Sequence, residues 1–100
     1  MYINILGTKY SYNFSNILKD EILDENTGGY CDPYDKKIVI NQSIKEAQQG
    51  ALKHVIRHEL IHAMLFESGG REFSDNEILV DLLATQIPKM IELFKKTNSL

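Results

Sequence analysis

Cys31 is the only cysteine in the chain, so no internal disulfide can form. A lone thiol agrees with a reducing compartment. Tryptophan is absent and proline occurs only twice, at Pro33 and Pro88. No apolar run approaches the ~18 residues of a membrane span. The start, Met1-Tyr2-Ile3-Asn4-Ile5-Leu6-Gly7, has neither the basic residues nor the apolar length of a secretory signal, so a cytoplasmic location is expected. A net charge of -3 with no basic block gives no electrostatic footprint for nucleic acid or an anionic membrane. A peptide or protein partner is expected instead.

What is present is ordinary for a globular protein: 43% hydrophobic and 25% charged residues over 100 positions, enough for one small core and a single domain spanning 1–100. Tyr2 to Leu6 and Lys9 to Phe14 read as a hairpin about Gly7-Thr8, with glycine first suiting a type II′ turn. Ser15 caps a predicted helix over 16–25 on which Ile17, Leu18, Ile22 and Leu23 recur at helical spacing. A second hairpin joins Gly29-Tyr30-Cys31 to Lys37-Ile38-Val39-Ile40 through Asp32-Pro33-Tyr34-Asp35-Lys36.

Ser43 and Glu46 form a capping box before a long helical pattern from Ile44 to about Ser68, ended by Gly69-Gly70. Steps of ~100° put Ile44, Ala51, Val55, His58, Glu59, His62 and Phe66 on one inward side, opposite Glu46, Lys53 and Arg57. In the last turns Leu60, Ile61 and Met64 make the far side apolar too. That half must be covered all round or expose a docking patch. A final helix starts near Ser74 or Asp75, with Val80, Ala84, Ile87 and Ile91 on its stripe and a kink or break expected near Gln86 to Pro88.

The central helix carries His58-Glu59-Leu60-Ile61-His62. On a repeat of ~3.6 residues the two imidazoles lie one turn apart on one face and can grip a single ion, with the Glu59 carboxylate beside them. Two histidines and a glutamate on an inward face are costly unless paired or metal-bound. A hydrolytic zinc takes three protein ligands and leaves one position open. Glu77, fifteen residues after His62 and beyond the Gly69-Gly70 reversal, is the chosen third ligand, with Asp81 or Glu72 next in line. Asp81, one turn after Glu77, suits the role of hydrogen-bond acceptor to a ligating histidine. The competing reading makes Glu77 part of a capping box with Ser74, and Asp81 a solvated carboxylate.

His54 extends the histidine row, but positions eight apart are ~12 Å apart along the axis, too far for His54 and His62 to share an ion. His54 belongs at the periphery of the site. Cys31 could reach the metal as a thiolate, although a buried, unreactive cysteine is the ordinary reading. Tyr30, Tyr34 and Arg71 are positional candidates for stabilising an oxyanion.

In these residues the sequence resembles the gluzincins, whose HExxH helix precedes a second helix with a ligand glutamate and, four residues on, an orienting aspartate. Asn76-Glu77 and Asp81 match the Asn-Glu-x-x-x-Asp pattern of the thermolysin type. Residues 28–88 look more closely like the compact metallopeptidases of phages and prophages related to the ImmA/IrrE type. Against that type's Glu-x-x-Ala-Asn-x-Phe-Ala, Glu77 and Ala84 agree, while Val80, Asp81 and Leu83 differ. The resemblance implies an α+β, zincin-like fold with a short, mostly antiparallel sheet packed on the HExxH helix. It also implies a peptidase in which His58, His62 and Glu77 hold Zn2+ and Glu59 is the general base for a zinc-activated water. An edge strand at Tyr30 or at Ile38 to Ile40 would bind extended substrate. The alternative is a non-catalytic, zinc-stabilised protein-binding module of phage origin, a plausible need for so small a core.

Overall fold

The computed structural model describes residues 1–47 and 49–100, with side chains at 1–44 and 50–100. Strands β1 (Tyr2–Ile5), β2 (Thr8–Ser15), β3 (Gly29–Asp32) and β4 (Lys37–Asn41) precede helices α1 (Gln42–Ala47), α2 (Gln49–Glu67), α3 (Arg71–Ser74) and α4 (Glu77–Lys96). The fold is α+β. The sheet order is β1-β2-β4-β3, and the hairpin pairs β1·β2 and β3·β4 are antiparallel while β2·β4 is parallel. The sheet is therefore mixed, and the expected antiparallel character belongs to its two hairpins. No helix among the described residues is long and apolar enough to cross a membrane.

Both hairpins lie where the strand patterns put them. The first turn, however, is Leu6-Gly7 with φ of 50° and 92°, between the paired Ile5 and Thr8. Positive φ at both centres makes it type I′, not type II′. The expected helix over 16–25 is absent, because side-chain carbonyls and carboxylates take the amides first. Asn16 Oδ1 accepts from the N–H groups of Leu18 and Lys19, Asp20 Oδ1 from Ile22, and Asp24 Oδ1 from Asn26. Three such turns at four-residue spacing replace the helix ladder. They leave Leu18 91% exposed and only Leu23 buried.

The expected helix over 44–68 corresponds to α1 and α2. Its cap lies earlier than Ser43: Asn41 Oδ1 accepts from both the N–H and the Oγ of Ser43. The Glu46 half of the expected capping box lies outside the described side chains. At the other end Gly69, at φ 89°, and Gly70 close α2, with Gly70 N–H donating to the Leu65 carbonyl and Gly69 N–H to that of Phe66. This is a Schellman ending, and the left-handed residue in it is glycine because a Cβ is penalised there.

Two hydrophobic clusters share α2. Tyr10, Ile38 and Ile40 of the sheet pack with Leu52 and Ala63, and Leu60 joins that side. Ile61 faces the other way, into Val80 and Ala84 of α4. The apolar far side of α2 is thus covered by α4 at Ile61, while Met64 is 37% exposed and Ala51 is exposed, not inward. Helix α2 also approaches the sheet closely at Gly28, where a Cβ would stand 2.9 Å from Val55 Cγ2. That glycine lets the helix lie against the start of β3.

Helix α4 begins after Asn76, whose Oδ1 accepts from Leu79 N–H, and of the kink or break expected near Pro88 the break does not occur, since the helix runs on to Lys96. Proline 88 has no N–H for the Ala84 carbonyl one turn earlier. Arg57 Nε donates to that carbonyl at 2.7 Å. Arg57, assigned by its helical angle to a solvated face, instead completes the hydrogen bonding of a fully buried residue on another helix. At the end of α2, Glu67 accepts from Lys36 Nζ at 2.7 Å, Tyr10 Oη at 2.6 Å and Thr8 Oγ1 at 2.9 Å. These bonds tie the helix to β2 and to the β3–β4 loop.

Arg57→Ala leaves the buried Ala84 carbonyl unpaired and should cost about 1–3 kcal/mol. In a Pro88→Ala background, which restores the missing N–H, the same change should cost clearly less, as urea unfolding of the four chains would reveal. The bonds from Lys36 and Tyr10 hold the Glu67 carboxyl down at about 2. Because its folded value lies below its unfolded one of ~4.3, its stabilisation is complete above that value and lost as pH falls towards 2. Glu67→Gln should flatten the fall in unfolding free energy between pH 5 and 2 relative to the parent chain.

Candidate metal centre

The periodicity of α2 presents His58, Glu59 and His62 to a cleft of about 500 Å³. Residues 28–31, at the start of β3, line it too, as do Ser74, Asp75 and Glu77 from the chain reversal after α2. Cap formation by Asn76 starts α4 at Glu77, and this places the Glu77 carboxylate over both imidazoles. His58 Nε2 lies 2.9 Å from Glu77 Oε2, His62 Nε2 lies 2.9 Å from Glu77 Oε1, and the two Nε2 atoms are 3.2 Å apart.

This donor set fits a divalent cation. Ligands bonded at ~2.0–2.1 Å in a tetrahedron are separated by roughly 3.3 Å, close to the spacing of these three groups. His62 Nδ1 lies 2.6 Å from the Ser74 carbonyl, which can only accept, so Nδ1 carries a proton and Nε2 is the nitrogen left to face Glu77, His58 and a cation. Carboxylate and imidazole together suit zinc among several transition metals.

The surroundings hold the rings in place. Asp81 Oδ1 stands 3.4 Å from His58 Nδ1 and 2.7 Å from His54 Nε2, so it sits between a proposed ligand and the histidine one turn before it. The bond from His54 holds the Asp81 carboxyl below its usual range. His54, His58 and Asp81 also lie close enough together to form a second cation-binding group. Ser74 acts twice, since its Oγ donates to the His62 carbonyl while its own carbonyl receives His62 Nδ1. Its part could not be read from side-chain patterns, because half of it is backbone. It does not form a capping box with Glu77, whose helix is capped by Asn76.

Glu59 is buried, and removal from water pushes its carboxyl up from the usual carboxylate range; the nearby His58 opposes this and Glu77 adds to it. Its side chain lines the cleft. Cys31 lines the cleft as well, and burial, with the Glu59 charge next in effect, raises its thiol to about 12. It is a protonated thiol at neutral pH, as the unreactive reading expects. Of the oxyanion candidates, Tyr30 reaches the cleft, but its hydroxyl donates to Asp20 Oδ2 at 2.6 Å. Tyr34 and Arg71 are engaged elsewhere: Arg71 lies over the rings of Tyr34 and Phe66, which meet edge to face. Glu72, the reserve ligand, is not among the residues that line the cleft.

Glu77→Ala should weaken zinc affinity, measured by competition with a chromogenic chelator, by well over the ~10–100-fold that loss of an outer hydrogen-bond partner causes. Asp81→Ala should fall inside that range. Equal effects would exchange or merge the two roles.

In comparisons with protein families, curated proteins and solved structures, nothing matches this chain, so its function is argued from the site itself.

Proposed function

We propose that the protein is a zinc-dependent metallopeptidase of zincin-like, gluzincin type. The observation that carries this reading is the meeting of His58 Nε2, His62 Nε2 and the Glu77 carboxylate within 3.2 Å of one another, with Glu59 in the same cleft. His58, His62 and Glu77 would hold the ion. When bound, zinc polarises a peptide carbonyl and lowers the pKa of water from ~15.7 towards ~7. Glu59 then acts as general base, taking a proton from water as the carbonyl carbon is attacked and returning it to the departing amine. The burial that raises its carboxyl pKa favours both transfers near neutral pH. His62 is kept in the ligating tautomer by the Ser74 carbonyl, and His58 is oriented by Asp81.

Strand β3 supports a peptide substrate. It is an edge of the sheet, and its start lines the cleft opposite Glu59 and the two histidines. An extended peptide adding to that edge would carry its backbone past the ion. The Ile38 to Ile40 segment cannot serve, because β4 lies between β2 and β3. Kinship with the phage and prophage peptidases of the ImmA/IrrE type is part of the proposal and rests on Glu77 and Ala84 in their expected places. So does a cytoplasmic peptide or protein as substrate.

Glu59 separates this reading from a zinc-stapled binding module, which has no use for a general base beside its metal. Glu59→Gln should lower hydrolysis of a fluorogenic peptide library by ~10²–10⁴-fold while retaining one equivalent of zinc. Undiminished turnover in that variant would dismiss the peptidase mechanism.

A further inference from the structure

His58 turns its two ring nitrogens to two different groups. Its Nε2 faces His62 and Glu77, while its Nδ1 lies 3.4 Å from Asp81 Oδ1, an oxygen that is also 2.7 Å from His54 Nε2. The set His54, His58 and Asp81 repeats the set His58, His62 and Glu77, moved back by four residues on α2 and forward by four on α4. One turn of each helix separates the two sets. The potential ligand atoms of His54, His58 and Asp81 lie within 4.8 Å of one another. The separation of 3.4 Å is long for a close hydrogen bond but near the roughly 3.3 Å between ligands of one tetrahedral ion. These side chains line a second hollow, of about 200 Å³, to which the start of β3 contributes Gly28 and Gly29, residues with no side chain to fill it.

We propose that His54, Asp81 and the Nδ1 edge of His58 form a second site for a divalent cation, which shares His58 with the first, so that an ion in either site weakens the other. This rests on the His58, His62 and Glu77 centre and needs no peptidase activity. A neutral imidazole has a single lone pair in its plane. With the proton on Nδ1, the lone pair on Nε2 serves the first site and Asp81 accepts from Nδ1–H. With the proton on Nε2, that N–H donates to Glu77 Oε2 at 2.9 Å, and the lone pair on Nδ1 serves the second site. Each site thus contains the acceptor that sets the ring for the other. Ions on both nitrogens of one ring would also stand roughly 6 Å apart and repel each other. The side chain of His54 is 33% exposed against 14% for His62, so the first site is the better shielded and fills first. An ion entering the second site then has His54, Asp81 and water. Imidazole with carboxylate selects zinc and its transition-metal neighbours over calcium or magnesium.

Equilibrium dialysis of the metal-free full chain against zinc, from nanomolar to submillimolar, should show one tight equivalent and a second, weaker one. His54→Gln keeps a donor for Asp81 but removes the ligand, and it should lose the second equivalent while retaining the first. His62→Ala disables the first site and frees His58. Its remaining zinc should bind more tightly than the second equivalent of the parent chain, by roughly the 5–150-fold usual for coupled sites. Ring-nitrogen NMR of His58 should then show the metal on Nδ1. A parent chain that takes up only one equivalent overturns the proposal, as does a second equivalent that survives His54→Gln or is no tighter in His62→Ala. A tight equivalent that survives His62→Ala is a different failure. It removes the first centre, and with it both the sharing and the reading on which the sharing rests.

Discussion

The burial of α2 on two sides at once is the constraint on which the rest of the structure depends. A helix packed against a sheet alone can roll about its axis. One held by Leu52, Leu60 and Ala63 on the sheet side and by Ile61 on the α4 side cannot. The remaining sector carries His58, Glu59 and His62, and it faces the cleft. The two cores therefore aim the polar residues. In a chain of 100 residues without a disulfide, packing is the means at hand for doing so, and Gly28 permits it by allowing Val55 to lie against the start of β3.

Much of this was legible in the sequence because it rests on periodicity. The hairpins followed from alternation and turn residues, the central helix from its stripe, and the juxtaposition of His58 with His62 from helix geometry. Glu77 with Asp81 could be proposed because residues four apart on a helix share a face, and the structure brings both to the histidines. The segment over 16–25 failed because periodicity says nothing of competition from Asn16, Asp20 and Asp24 for the backbone amides. The parallel pairing of β2 with β4 was hidden for a different reason. It depends on which edge the second hairpin docks to, a long-range choice that no local pattern encodes.

The electrostatic layout was less legible still. Glu67 is bound by Thr8, Tyr10 and Lys36, residues distant in sequence that meet only through the fold. Ser74 contributes a carbonyl, which every residue has. His54 was visible as one more histidine in a row, yet its partner, Asp81, is on another helix. Each of these groups holds a helix or a ring in one orientation, and this is the part of a site that sequence spacing represents least well.

The bond from Arg57 to the Ala84 carbonyl works as a keyed joint. Proline 88 leaves one carbonyl in the buried face of α4 without its usual donor, and so marks a single height along that helix. If α4 slid by one turn along α2, the guanidinium would meet a carbonyl already bonded within its own ladder, and the Ala84 oxygen would be stranded. Sliding is thereby made discontinuous, with one favoured stop. Glu77 lies two turns up the same helix from Ala84, so the position of a carboxylate over two imidazoles is gauged from a residue that never touches the cleft.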